Sequence, residues 1–171
     1  MRYLQLLVFG LIGLSVPVFA ADKNLDILGT YDDWTAYVYT EQGSKTCYMA
    51  TEPTKSVGKY KVRDDIFLFV THHPAEKEFD IVNIMAGYTY KKGSKPSLTI
   101  DKNKAVSLVS HADTAWAKDS DTDKKLVAQM KKGSNAVLKG ISARGTLTTD
   151  TFSMKGFSKA YHEIQKACGR E

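Results

Sequence analysis

From Trp34 to Met154, apolar residues recur at every second position in one short segment after another, a period that commits a chain to strands. Trp34-Thr35-Ala36-Tyr37-Val38-Tyr39-Thr40 sets the pattern, with Trp34, Ala36 and Val38 on one face and Thr35, Tyr37 and Tyr39 on the other. These aromatic and β-branched residues suit a pleated, half-buried surface. Gln42-Gly43-Ser44-Lys45 turns the chain into a second strand through Thr46-Cys47-Tyr48-Met49-Ala50. Ile66 to Val70 is wholly apolar and reads as a strand buried on both sides. Phe79 to Ala86 and Gly87 to Tyr90 read as further strand, bent at the glycine. Shorter strands are expected at Ser97–Ile100, Val106–Val109, Ala136–Ile141 and Thr146–Met154. Asp22 to Tyr31 reads as a polar lead-in, and Pro53 and Gly58 mark a loop.

Two segments follow the helical period instead. Asp121 or Thr122 can cap a helix over Lys124 to Lys132 that Gly133 ends, with Leu126, Val127 and Met130 on its apolar side and four lysines towards water. Phe157, Ala160, Tyr161, Ile164 and Cys168 stand at i, i+3, i+4, i+7 and i+11, one face of a helix. Many short strands with two short helices, one at the C-terminus, give an all-β class: a single-domain β-sandwich over residues 21–171 with the last helix docked on it.

Arg2, the apolar run from Leu4 to Val16, Pro17 and the Val18-Phe19-Ala20 site compose a secretory signal peptide over residues 1–20. Cleavage is expected after Ala20 or Ala21. The run is too short for a membrane anchor, which needs about 20 apolar residues, so no stable membrane span is expected after cleavage. Export brings Cys47 and Cys168, the two cysteines of the sequence, into an oxidising compartment, where an intrachain disulfide is the default. The loop it closes spans 121 residues. Cys168 lies on the apolar helix face, whereas half of the orientations open to Cys47 on its strand meet that helix.

Charge excludes more than it assigns. The net charge of +5 falls by one with the leader, and the lysines are dispersed from Lys55 to Lys132. That is a solvated face with weak attraction to anionic surfaces, and no nucleic-acid partner is expected. Asp119, Asp121 and Asp123 have the spacing of the first three ligands of a calcium loop, but Lys124 takes the glycine position and Met130 that of the bidentate glutamate. Helix N-terminal acids explain the three as well. Gly156-Phe157-Ser158-Lys159-Ala160 lacks the final glycine of a nucleophile elbow, and only His162 follows Ser158. Ser56-Val57-Gly58-Lys59 is an S-x-x-K without its companion motifs. His72 and His73 point to opposite faces of a strand and, with His111 and His162, read as surface residues. No catalytic residue, metal or cofactor is expected.

Taken in order, several segments resemble the invasion-associated locus B family of exported bacterial proteins. They are Trp34, Cys47-Tyr48, Arg63-Asp64-Asp65-Ile66-Phe67-Leu68, Ala86-Gly87-Tyr88, Ala115-Trp116-Ala117 and Met130-Lys131-Lys132-Gly133. The closing stretch adds Arg144-Gly145-Thr146, Asp150-Thr151-Phe152-Ser153-Met154, Gly156-Phe157 and Cys168. The resemblance spans essentially all of the chain after the leader. It implies a periplasmic or envelope-associated, mostly β protein without known catalytic residues, in a family named for bacterial entry into host cells. Two functions are therefore carried forward. One is a non-enzymatic envelope protein that binds an envelope or host-surface partner, with Tyr37 and Tyr39 as part of a contact face. The alternative is that these tyrosines pack under a loop or second sheet, as aromatics that fill sandwich cores do. The other is an envelope hydrolase acting on cell-wall or sugar substrates through acidic pairs. Oligomeric state is left open.

Overall fold

The computed structural model describes residues 23–170; the expected leader lies outside the described residues. Twelve strands and two helices follow one another. They are β1 (Lys23–Tyr31), β2 (Trp34–Glu41), β3 (Ser44–Thr51), β4 (Lys55–Gly58), β5 (Phe67–His73), β6 (Glu78–Met85), β7 (Ser97–Ile100), β8 (Val106–Ser107), β9 (Val109–His111), β10 (Thr114–Trp116), α1 (Ser120–Met130), β11 (Asn135–Ile141), β12 (Leu147–Ser153) and α2 (Phe157–Ala167). A 3-10 turn at Pro74–Glu76 joins β5 to β6.

The strands form two antiparallel sheets, a larger one in the order β1-β2-β3-β5-β6-β10-β9 and a smaller one in the order β4-β12-β11-β7-β8. The fold is sandwich-like and all-β, as the strand spacing predicts. One face of the larger sheet is core: Trp34, Ala36, Cys47, Met49, Leu68, Val70, Val82, Ile84 and Ala115 are buried there. Leu98, Ile100, Ala136, Leu138 and Phe152 of the smaller sheet belong to the same cluster, as do Leu126, Val127 and Met130 of α1 and Phe157, Ala160, Tyr161 and Ile164 of α2. Trp34 ties the layers together. Its ring meets Phe157 edge-on at 5.0 Å, and its Nε1–H donates to the Ser153 carbonyl at 2.9 Å, the partner a buried indole requires.

Turn chemistry sets the hairpin registers. Gln42 and Gly43 both have positive φ, 50° and 79°, as a tight turn between twisted strands requires. Gly156 is fixed by space: at φ +88° a Cβ there would lie 1.8 Å from the Tyr31 carbonyl oxygen. Any other residue would force α2 away from β1.

Several expectations are corrected. The polar lead-in is a strand, because β1 pairs along β2 from Lys23↔Glu41 to Tyr31↔Trp34; an edge strand draws its stability from the partner ladder and needs no apolar alternation of its own. Lys55–Gly58 is likewise a strand, paired with β12 and exposed throughout. β5 is buried on one face only: Leu68 and Val70 point inward while Phe67 and Phe69 are half-exposed outward. Gly87–Tyr90 is loop apart from a bridge between Tyr90 and Ser142. Val106–Val109 divides at buried Leu108, with β8 in the smaller sheet and β9 in the larger. The first helix begins at Ser120, capped by Asp119, whose carboxylate accepts from the Thr122 N–H at 2.8 Å.

Candidate functional site

The face of the larger sheet opposite the core carries Tyr37 and Tyr39 on β2. Register places Tyr37 opposite Tyr48 and Tyr48 opposite Thr71, with Phe69 two positions before Thr71 on the same face. Tyr37 stacks on Tyr48 at 4.8 Å with a 12° interplanar angle, Tyr48 tilts towards Phe69 at 6.4 Å, and Phe69 meets Phe67 at 5.6 Å. All are half-buried by one another, with no second layer over them among the described residues. Cross-strand aromatic pairs of this kind stabilise a sheet while leaving ring surface in water. A shallow depression of about 290 Å³ at one end is lined by Thr35, Tyr37, Glu52 and Phe67.

Behind this face lie two clusters of buried charge. In the first, Arg63 forks onto Asp150, with Nη1 and Nη2 each 2.7 Å from a carboxylate oxygen. Its Nε–H donates to the Ala86 carbonyl at 2.7 Å. The side chains are 4% and 0% exposed. Burial works against the charge of Arg63, but the bond and attraction to Asp150 outweigh it and hold the guanidinium firmly protonated. Tyr88 covers it at 4.8 Å and Tyr60 at 5.4 Å, while the Tyr88 hydroxyl lies 2.7 Å from Thr148 Oγ1. The Asp64 N–H donates to the Gly87 carbonyl at 3.1 Å. Only glycine fits there: φ is +65°, and a Cβ would lie 2.2 Å from the Asp64 carbonyl oxygen. Thus the Arg63-Asp64, Ala86-Gly87-Tyr88 and Asp150 segments, distant in sequence, meet at one lock between the sheets.

The second cluster is built by a bulge. Register between β5 and β6 shifts between Thr71↔Ile81 and His73↔Glu78. The one extra residue on β6 leaves Asp80 in the left-handed region at φ 65° with its carboxylate turned inward. There it accepts from the Tyr161 hydroxyl of α2 and from Arg170 Nη1, the latter at 2.8 Å. Burial tends to raise the Asp80 pKa, but these two bonds and the charge of Arg170 hold it below the usual carboxylate range. Tyr161 is pushed up, by burial first and by Asp80 next. His72 is wholly buried beside them, contrary to the surface position expected, because its parity is that of Leu68 and Val70. Its Nδ1 lies 3.1 Å from the Asp80 N–H and from the Thr71 carbonyl oxygen. Burial lowers its pKa despite Asp80, keeping the ring neutral.

Cys47 pairs with Cys168 as expected, with Cα atoms 6.0 Å apart. Cys47 is opposite His72 in the ladder, and Cys168 precedes Arg170 by two residues, so the disulfide fixes the chain end that reaches Asp80. Lys45 Nζ donates to the Ala167 carbonyl at 3.1 Å beside it.

The three helix acids separate. Asp119 caps, Asp121 is exposed, and Asp123 is buried, its Oδ1 accepting from the Val82 N–H at 2.9 Å. That N–H lies where β10 leaves the side of β6, so Asp123 completes the ladder. Burial raises its pKa to about 6 against the bond from Val82. Among the described residues no group of three or more His, Cys, Asp or Glu is placed to hold a metal ion. Ser158 Oγ donates to the Lys131 carbonyl at 3.3 Å on an exposed surface, and Ser56 is exposed on β4. The sequence reading missed both charge clusters, although a signal existed: Asp80, Asp150 and His72 occupy core-facing positions of alternating strands.

No curated protein and no solved structure matches the chain. The family model of the invasion associated locus B (IalB) protein matches residues 34–165. That match takes in Trp34, the Arg63–Asp150 lock, the bulge at Asp80 and nearly all of α2, and the chain belongs to the invasion associated locus B family.

Proposed function

We propose that this chain is an exported, non-catalytic protein of the cell envelope that acts by binding a partner at the cell surface, host-cell entry included, through the outer face of the larger sheet. The observation that carries this reading is the run of Tyr37, Tyr48, Phe69 and Phe67 on a sheet face that nothing among the described residues covers. Aromatic rings held rigid by stacking present large contact area at little entropic cost, the property of interface anchors. The Cys47–Cys168 disulfide is at home in an oxidising compartment. No helix among the described residues is long and apolar enough to cross a membrane. The buried carboxylates are engaged in bonds of the fold: Asp150 by Arg63, Asp80 by Tyr161 and Arg170.

The hydrolase reading has one observation in its favour. Asp123, with its raised pKa, lines a cleft of about 810 Å³ together with Asp119 and Glu78. Against it, one Asp123 oxygen is held by the Val82 N–H and one Asp119 oxygen by Thr122. The two readings part in one experiment on intact cells. A photocrosslinker at position 39 is expected to give a discrete adduct that disappears in the double variant Tyr37→Ser, Tyr48→Ser. Absence of any adduct, or turnover of wall oligosaccharide that is lost in Asp123→Asn, would overturn the binding reading.

A further inference from the structure

Large apolar side chains exposed to water gather at one end of the smaller sheet. Val62 is 86% exposed, Leu147 70% and Val57 52%, and the Tyr60 ring stands beside them. Single exposed apolar residues need no explanation, whereas a contiguous group marks an interaction surface. Here the group is contiguous. Pairing of β4 with β12 puts Gly58 opposite Thr148, next to Leu147, and a Cβ on Gly58 would lie 2.8 Å from the Tyr60 ring and 3.0 Å from the Leu147 carbonyl oxygen. Two open depressions, about 560 and 640 Å³, share Lys59, Arg144 and Thr146; one is lined by Tyr60 and Val62, the other by Val57 and Leu147.

Exposed bases interleave with these residues. Lys59-Tyr60-Lys61-Val62 alternates charge and apolar surface, and Arg144 stands at the turn before Leu147. Asp64 lines the first depression and Asp65 is exposed next to it, while Arg63 is consumed by Asp150; the three free bases Lys59, Lys61 and Arg144 outnumber these acids, so the tip is cationic on balance. Aliphatic side chains projecting from a loop and a hairpin turn, ringed by Lys and Arg, match the boundary between lipid phosphates and acyl chains. Protein interfaces disfavour lysine. The Arg63–Asp150 lock holds the loop in place before any contact is made, which removes the ordering cost of insertion.

We infer that this end of the molecule is a docking surface for an anionic lipid bilayer, with Val62, Leu147 and Val57 entering the interface and Lys59, Lys61 and Arg144 meeting lipid phosphates. This surface is distinct from the aromatic face of the larger sheet, and purified protein suffices to test it.

The test is co-sedimentation of the full chain, as the cell yields it, with vesicles of phosphatidylcholine with and without phosphatidylglycerol. Wild type and variants share residues 1–22, so any difference between them belongs to the tip. Binding is expected only with phosphatidylglycerol and should weaken as salt rises. Each base near an anionic surface changes partitioning about fivefold, so Lys59→Glu, Lys61→Glu and Arg144→Glu together should cost at least about a hundredfold. Val62→Ser with Leu147→Ser should cost at least about tenfold. All five side chains are exposed, and unchanged melting of each variant confirms the fold; Gln replacements serve if charge reversal lowers it. A Val62→Trp variant should shift its emission to the blue on phosphatidylglycerol vesicles alone. Vesicle binding that is absent, or indifferent to both sets of variants, would overturn the proposal. So would equal affinity for soluble heparin without an emission shift on vesicles.

Discussion

The two buried ion pairs make an instructive contrast. Arg63 and Asp150 are 87 residues apart in sequence, Asp80 and Arg170 are 90 apart, and both pairs join distant segments. The first uses three guanidinium nitrogens, two to the carboxylate and one to a carbonyl, with both partners almost wholly buried. The second uses one guanidinium nitrogen from a side chain that is 35% exposed, on a residue held near the core by the neighbouring disulfide. A buried pair broken on one side leaves an orphaned charge, whereas a half-exposed arginine can turn back to water. The lock and the clasp share a chemistry but differ in what happens when they fail.

Breaking the lock should give the largest effect. Asp150→Ala strands the Arg63 guanidinium under Tyr60 and Tyr88 and is expected to cost about 3–5 kcal/mol in denaturant unfolding. A loss below about 1 kcal/mol would mean that water reaches Arg63 and the lock is not closed. Removal of the disulfide through Cys168→Ser comes next, at about 2–4 kcal/mol from regained freedom of the unfolded chain. Hydrogen exchange should then rise first in the last turn of α2, a terminal element. Uniform exchange along the chain would show that the clasp does not depend on the disulfide.

Arg170→Ala tests the clasp alone. The exposed guanidinium is screened by water, and the Asp80 carboxylate left behind keeps its bond from the Tyr161 hydroxyl, which limits the expected loss to about 1–2 kcal/mol, well below that of Asp150→Ala, and equality of the two would erase the contrast. The pair also has a pH signature. Asp80 is held below its unfolded value near 3.8, so its contribution is present above that value and lost as pH falls through the folded pKa. Arg170→Ala should flatten this acid limb. Asp123 has the opposite sign: its folded pKa of about 6 exceeds the unfolded 3.8, so the stability it lends at low pH is lost as pH rises between those values. Asp123→Asn keeps an acceptor for the Val82 N–H without the buried charge. It should remove that slope and, at neutral pH, leave stability unchanged or raise it by up to about 1 kcal/mol. A destabilised variant with the slope intact would locate the titration elsewhere.

Strand and helix faces were readable because they are local. Trp34 and Ala36 point inward and Tyr37 outward as a period of two dictates, and all of Phe157, Ala160, Tyr161, Ile164 and Cys168 are buried as the helical period dictates. β1 and β4 were hidden, since each is an edge strand: the apolar residues Leu25 and Ile27 of β1 face water beside polar neighbours, and β4 is exposed throughout. Ile66–Val70 misled because Phe67 and Phe69 are apolar on the outer face as well. Of the candidate face, Tyr37 and Tyr39 were legible, whereas Tyr48, Phe67 and Phe69 joined them only through register between β2, β3 and β5.

The sequence by itself determined where the backbone turns, which residues share one face of a strand or helix, and, with two cysteines in the whole sequence, which thiols could pair. Backbone geometry is responsible: periods of two and 3.6 depend on the neighbouring residues alone. Tertiary structure decided which elements became neighbours, and with that the partner of every buried charge. Arg63-Asp64-Asp65 reads as three solvated charges until β12 brings Asp150 beneath the loop. Asp80, on the core-facing parity of Val82 and Ile84, found its partners only when α2 brought Tyr161 and the disulfide held Arg170 within reach. A buried charge needs a partner from elsewhere in the chain to offset its desolvation, an opposite charge at Asp150 and Asp80 and a backbone N–H at Asp123, and that arrival depends on the packing of the whole domain.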